Sequence, residues 1–265
     1  MITTVVTPWE DKFYRMVAEC QSNIRITSPF IKSNVVSKLF EHIKQGVHVD
    51  VVTSCKLMNF YRRASDIEAL SYIIDKGGCL LNLQNLHSKV YIFDDNKAII
   101  TSSNLTTGGL KTNYEYGIEI SEHDLVKDIA KDFDDLRNDE RTGKVELSEL
   151  NKIKEIIDAL PKESKIVIPK VKNDEDEKDV EIFTGDIKVV ESKLTGWVKD
   201  VFVCLLEIPN EVFSLNEIYS FEKKLSTLHP ENRFVTDKIR QQLQKLRDIG
   251  LIQFLGNGRY KKLWS

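Results

Sequence analysis

Residues 86–120 read LHSKVYIFDDNKAIITSSNLTTGGLKTNYEYGIEI, from Leu86 to Ile120, and this stretch decides the fold class. Lys89 to Phe93 and Ala98 to Ser102 are short runs rich in β-branched and aromatic residues, joined by the turn Asp94-Asp95-Asn96-Lys97. Tyr116 to Ile120 is a third such run. His87 and Lys89 are two apart, so at strand spacing they point to one face. An imidazole beside an ammonium is poor core material, but it suits a phosphate. The imidazole can attack phosphorus while the ammonium neutralises the oxygens. Ser102-Ser103-Asn104 ends the second strand with short hydroxyl and amide donors. Glu115 precedes the third and can accept an imidazole N–H, fixing its tautomer.

Outward from this segment, helical and strand patterns alternate. Pro8 to Cys20 has apolar residues at helical spacing, and Asn23 to Thr27 alternates like a strand. Ser33 is positioned to cap a helix that stops at Gly46. Val47 to Thr53 is a strand, Arg63 to Lys76 a helix ended by Gly77-Gly78, and Cys79 to Leu83 a strand. Leu125 to Leu136 is a further helix. The pattern predicts an α/β layered domain over residues 1–140. Residues 141–191 read as a connector, with a helix at Ser148 to Ala159 and a solvated acidic loop, Lys172 to Asp179.

Residues 192–265 read differently. Leu194 to Leu206 is one helix. Ser214, with Glu217 three residues on, opens a second by a capping box that runs to about Leu228. Thr236 is placed to cap a third, which stops at Gly250. LIQFL, a Gly256-Asn257-Gly258 turn and RYKKLW then form a strand–turn–strand. Three helices and a two-stranded wing make a winged helix-turn-helix, whose third helix would lie in a major groove.

Composition narrows the function. The 265 residues are 41% hydrophobic and 30% charged, which is globular. No apolar run approaches the ~20 residues of a membrane span. Met1 to Val6 lacks the length and basic flank of a signal peptide. Cys20, Cys55, Cys79 and Cys204 lie far apart without a CxxC pair and read as buried thiols of a reducing, cytoplasmic protein. With five histidines, a metal site would need carboxylates, and none is expected. Residues 192–265 hold 12 basic and 8 acidic side chains, against 26 and 33 in residues 1–191. A basic module on an acidic one points to a polyanion partner for the tail.

The 86–120 segment resembles the motif of the phospholipase D superfamily: H-x-K, four residues, D, six residues, then G/S-S-x-N. His87, Lys89 and Asp94 fit the spacing, and Thr101-Ser102-Ser103-Asn104 fills the last block with Thr in place of Gly. Leu-Thr-x-Gly-Gly-Leu and Asn-Tyr-Glu-x-Gly also look like the version in nucleases and restriction endonucleases of that superfamily. The resemblance covers roughly residues 20–140. It implies a phospholipase-D-like mixed sheet flanked by helices. It also implies a phosphohistidine intermediate, with a second histidine as acid and base and no metal or other cofactor. His42-Ile43-Lys44 also spells H-x-K, but lies in a predicted helix and reads as surface. One usable motif per chain therefore predicts a homodimer with a composite site. His87 and Lys89 would come from each subunit, Ser102 and Asn104 would bind phosphate oxygens, and Glu115 would orient the histidine. Lys89 and Lys111 are expected to make the cleft basic. Asp94 reads as a turn residue rather than a catalytic one.

The tail resembles the C-terminal module of Dam-replacing, methyl-directed restriction enzymes, through SLNEIY (Ser214 to Tyr219), LHPENR (Leu228 to Arg233) and KIRQQLQKLRDIGLIQFLGNGRY (Lys238 to Tyr260). Ile239, Leu243, Leu246 and Ile249 form its buried stripe. Lys238, Arg240, Gln241, Gln242 and Lys245 lie off the stripe and are of types that read bases or grip phosphate. Arg259, Lys261 and Lys262 on the wing would hold phosphates. The resemblance implies double-stranded DNA as partner and N6-methyladenine in the target. The expectation is a metal-independent, site-specific, restriction-type endonuclease with no membrane association. Its rivals are a non-catalytic winged-helix transcription regulator with a phospholipase-D-like sensor domain, and a phosphodiesterase acting on lipid or damaged DNA ends.

Overall fold

The computed structural model describes residues 1–161 and 183–264. The acidic run Lys172 to Asp179 lies outside the described residues. Eight strands form one mixed sheet: β1 (Ile2–Val6), β2 (Asn23–Thr27), β3 (His48–Thr53), β4 (Cys79–Asn82), β5 (Val90–Phe93), β6 (Lys97–Thr101), β7 (Tyr116–Ile120) and β8 (Gly143–Lys144). Their order is β1-β7-β6-β5-β2-β3-β4-β8. β2, β3 and β4 run parallel, and the other pairings are antiparallel.

Helices cover both faces. α1 (Glu10–Glu19) buries Phe13, Tyr14, Met16 and Val17, a helical-period stripe. With α2 (Ser33–His42), α3 (Leu57–Tyr61), α4 (Ile67–Asp75) and α6 (Leu147–Ala159) it closes one face over Ile24, Ile26, Tyr91 and Ile99. On the other, Val126 and Phe133 of α5 (His123–Arg137) cover Val52, Ile92, Ala98 and Ile120.

Several details differ from the sequence reading. β1 is an edge strand that the sequence reading passes over, and it pairs with β7 from Ile2↔Ile120 to Val6↔Tyr116. Ser33 is not the cap of α2. Lys32 holds that position, and the Asp66 carboxylate, from 33 residues away, accepts the Ser33 N–H at 2.9 Å. The helix expected from Arg63 starts only at Ile67, as α4, because Arg63 adopts φ 57° in the turn that follows α3. The sheet continues past residue 140, because β8 adds to β4 and α6 packs on α4. Three of the four thiols are buried as expected, and Cys79 is half-buried.

After α7 (Ile187–Lys193), the C-terminal module contains α8 (Gly196–Glu207), β9 (Val212–Ser214), α9 (Leu215–Tyr219), α10 (Glu222–Leu228), α11 (Val235–Asp248), β10 (Ile252–Gly256) and β11 (Arg259–Lys262). The capping box forms: Ser214 Oγ accepts the Glu217 N–H at 3.4 Å, and Glu217 accepts the Ser214 N–H at 2.8 Å. The wing has three strands rather than two, in the order β10-β11-β9. Thr236 lies inside α11. The Asn232 side chain accepts the Phe234 N–H at 2.8 Å just ahead of the helix.

The module is not hung on a tether. One hydrophobic core contains both Ile24 and Leu70 of the sheet layer and Phe202 and Leu243 of the module. Gly250, at φ +79°, lies so close to the backbone of Cys55 and Leu57 that a Cβ would sit 2.3 Å from the Cys55 carbonyl oxygen. Only glycine combines that conformation with that approach.

Candidate active site and nucleic-acid interface

Topology gathers the motif. β5 and β7 begin at the sheet end where β6 terminates, since Val90 pairs with Ile100 and Thr101 with Gly117. β2 also terminates there, with Thr27 opposite Val90. His87 and Lys89 just before β5, Ser102 and Asn104 just after β6, and Glu115 just before β7 therefore share one rim. The Thr101 N–H donates to the Lys89 carbonyl at 3.1 Å, carrying the β5–β6 ladder into the motif.

His87 is exposed and Lys89 half-buried. The Lys89 ammonium donates to the His87 carbonyl at 2.7 Å and stands 3.3 and 3.4 Å from the two ring nitrogens. The two side chains thus share one side, as the spacing requires. The Ser102 hydroxyl donates to the Glu115 carboxylate, and Asn113 donates to its other oxygen at 3.2 Å. Glu115 is thereby held at the rim by two neighbours. The Asn104 side-chain oxygen is buried and accepts no hydrogen bond among the described residues. A buried polar atom left so costs about 1–3 kcal/mol, which a ligand or partner can recover.

The scaffold beneath is well tied. Trp9 donates its indole N–H to Ser103 Oγ at 3.1 Å and to the Gly109 carbonyl at 3.2 Å. Tyr91 donates to the Ser103 carbonyl at 2.8 Å, and Ser28 Oγ accepts the Leu105 N–H at 2.9 Å. Thr27 Oγ1 accepts from Ser88 at 3.1 Å and from the Val90 N–H at 3.0 Å. Asp94 accepts from the N–H groups of Gln21, Ser22 and Asn23 and from the Ser22 hydroxyl. Burial pushes its pKa up, but these donors outweigh that and hold it below the ordinary value. His42 bonds the Lys38 carbonyl through Nδ1 at 2.7 Å and stacks on Tyr14, far from the rim in its contacts. Lys111 is paired with Glu10 at 3.5 Å. Among the described residues no group of histidine, cysteine or carboxylate side chains converges as a metal-binding cluster.

Two family descriptions match the chain: "Cardiolipin synthase, PLD-like domain" over residues 13–137 and "Dam-replacing HTH domain" over residues 192–262. The chain joins a phospholipase-D-like domain to a Dam-replacing winged helix. Cardiolipin synthase 1 of Staphylococcus epidermidis is 22% identical over 126 residues, 46% of this chain, which spans 26% of that relative's length. Among solved structures, a phospholipase D family member, Nuc from Salmonella typhimurium, has 22% identity and a TM-score of 0.44, covering 51% of this chain and 92% of that one. NucT from Helicobacter pylori has 16% identity and a TM-score of 0.42, covering 51% and 94%.

In the winged helix, α11 turns Lys238, Arg240, Gln241 and Lys245 toward its accessible side. Lys238 donates to Gln241 at 2.7 Å, and Arg240 donates to the Tyr219 hydroxyl at 2.6 Å. Gln242 is a correction. It is 3% exposed and donates to the Lys238 carbonyl at 3.4 Å, because the packed face of α11 is wider than the aliphatic stripe. Lys262 is a second correction. Strand alternation separates it from Arg259 and Lys261, so it is 7% exposed and donates to the Ile208 carbonyl. Burial pushes its pKa down. Arg259 is exposed, and Lys261 pairs with Glu211 at 3.1 Å.

Two features escape the sequence reading. Phe234, 71% exposed at the mouth of α11, is an aromatic where solvation predicts a polar residue. Tyr114 and Tyr116, 87% and 53% exposed, bracket Glu115. The signal available was an aromatic at a helix start and the Tyr-Glu-Tyr alternation.

Proposed function

We propose that this chain is a restriction-type, site-specific DNA endonuclease acting without a metal in the cytoplasm. One observation carries the reading: His87, Lys89, Ser102, Asn104 and Glu115 meet at one rim in a chain that also holds a winged helix. In the proposed reaction a His87 nitrogen bonds phosphorus and the P–O bond to the leaving strand breaks. A second histidine gives the leaving oxygen its proton. That histidine then takes a proton from water, whose oxygen displaces the first imidazole. Lys89, Asn104 and Ser102 balance charge on the phosphoryl oxygens.

The second histidine is His87 of a second copy, and the site is a homodimer's. Exposed apolar groups beside the rim support this: Tyr114, Tyr116, and Val6 and Ile100 at 39% each. Double-stranded DNA is read by Lys238, Arg240, Gln241 and Lys245 in the major groove, with Arg259 and Lys261 on phosphates. The module belongs on this chain for targeting, whereas a lipid phosphodiesterase has no use for a groove-reading helix. The helices of the described residues are too short or too polar to cross a membrane.

The test is digestion of plasmids from Dam-methylating and non-methylating hosts in excess EDTA, beside a His87→Ala control. Discrete fragments with the wild type alone are expected, with a difference between the plasmids. A shifted but uncut plasmid, in EDTA and in magnesium, overturns the nuclease reading in favour of a regulator.

A further inference from the structure

Gln84 lies three residues before His87, in the turn closed by the Leu86 N–H donating to the Leu83 carbonyl at 3.0 Å. It is 3% exposed, and its side chain turns away from the rim. Its Nε2 donates at 2.7 Å to the carbonyl of Arg247, in the last turn of α11. Asn82 donates to the same carbonyl at 3.4 Å, while its oxygen accepts the Cys55 N–H at 2.9 Å. The last carbonyls of a helix lack intrahelical donors and carry the negative end of its dipole. The Arg247 carbonyl accepts the Gly250 N–H at 2.9 Å, and the catalytic layer supplies two further donors. The Gln84 carbonyl accepts from Ser54 Oγ at 2.9 Å, so its backbone is also fixed. Its side-chain oxygen is buried without a partner among the described residues.

This patch, with the buried Arg247–Asp248 pair beside it, is polar within a largely apolar junction. Ser54, Asn59, Asn82 and Gln84 are all at most 3% exposed. A buried polar network fixes one arrangement, since each broken bond leaves a desolvated group behind. It is therefore a poor glue and a good register. A shift of α11 along its axis has to be followed by the Leu83–Leu86 turn or has to break the Gln84 bond. Leu86, between Gln84 and His87, is 7% exposed and packed, which ties this turn to the chain entering the rim.

We propose that Gln84 is a positioning residue that couples seating of the recognition helix on DNA to the placement of His87. The proposal rests on the nuclease reading for its consequence, and on the Gln84–Arg247 bond for its cause. DNA held by α11 is then cut faster than its affinity alone explains.

The experiment compares full-length wild type with Gln84→Met, which keeps side-chain length and removes the donor. Three quantities are measured: plasmid binding by gel shift, single-turnover plasmid cleavage at saturating protein, and hydrolysis of bis(p-nitrophenyl) phosphate, a diester too small to reach α11. The expected result is saturated plasmid cleavage lowered about tenfold, within the usual range of couplings between sites, with the other two within about twofold. Equal loss in all three, or loss that tracks binding, makes Gln84 structural and overturns the proposal. Unchanged plasmid cleavage also overturns it. Hydrogen exchange over residues 83–89, with and without plasmid DNA, provides an arm that needs no catalysis. Protection that changes with DNA in the wild type and not in Gln84→Met is expected, and no change in the wild type overturns the proposal. That arm still decides the coupling if neither substrate is cut, an outcome that counts against the nuclease reading alone.

Discussion

Gly109 and Asn104 lie so close that a Cβ on the glycine would sit 2.2 Å from the asparagine carbonyl oxygen and 2.8 Å from its amide nitrogen. The second glycine of the Gly-Gly pair is therefore part of what holds Asn104 at the rim. Gly109→Ala should lower stability by about 1–3 kcal/mol through overpacking. Plasmid cleavage per folded molecule should fall further, because Asn104 is displaced. Denaturant midpoints and cleavage rates check both. An unchanged cleavage rate in the folded variant would mean that Asn104 does not touch the substrate.

Asp94 occupies the aspartate position of the motif, and its carboxylate ties the entry to β2. Asp94→Ala should cost about 1–3 kcal/mol by leaving Gln21, Ser22 and Asn23 without their acceptor. Cleavage per folded molecule should be unaltered. The sign with pH follows from its lowered pKa. The stabilisation is present above the unfolded value and is lost as pH falls through the folded one. Urea midpoints of wild type and variant should therefore converge in acid.

Asp248 behaves in the opposite sense. It is bonded to Arg247 at 2.9 Å, yet burial raises its pKa to about 6, against the pull of Arg247 and with a small push from Glu149. A carboxylate raised in the fold favours folding in acid and loses that contribution as pH rises through the folded value. Relative to Asp248→Asn, the wild type should lose about 2 kcal/mol between pH 4 and pH 6.5 and then level off. A flat difference across that window would mean that Asp248 stays charged throughout.

Arg259, Lys261 and Lys262 are neighbours in sequence and should not be equivalents. Arg259→Ala and Lys261→Ala should each reduce the slope of log affinity against log salt by about one. Lys262→Met should leave that slope alone and keep or raise stability, since it replaces a buried ammonium with an apolar chain. Binding titrations at several salt concentrations separate the three.

Tyr114 and Tyr116 test the composite site. Tyr114→Ser with Tyr116→Ser should shift a dimer toward monomer in sedimentation and reduce cleavage steeply at low protein concentration. Activity linear in concentration for both proteins would count against a shared site.

The gathering of the candidate rim was largely legible because its spacing is short-range. His87 and Lys89 both lie just before β5 rather than in it, yet two residues apart their side chains still meet, so the pair was within reach of the sequence. The partners of Glu115 were also near in sequence. What escaped depended on distant packing. Nothing local marks Ile2 to Val6 as the edge partner of β7, 110 or more residues on. Ser33 offered a good capping side chain, but Asp66 arrived from another loop and took the role. Gln242 lies off the aliphatic stripe, yet tertiary packing on α11 buries it. Lys262 was within reach of strand alternation, since Tyr260 and Lys262 face inward together.

The close fit of Gly250 on the Cys55–Leu57 backbone has a consequence for how such proteins diversify. A reader joined by a loose linker can be exchanged as a cassette, and a new target specificity follows from recombination alone. Here an incoming winged helix must bring a glycine at that turn and a helix end that meets Asn82 and Gln84. New specificities should therefore arise mainly by point changes on the outer face of α11, with its inner end inherited unchanged.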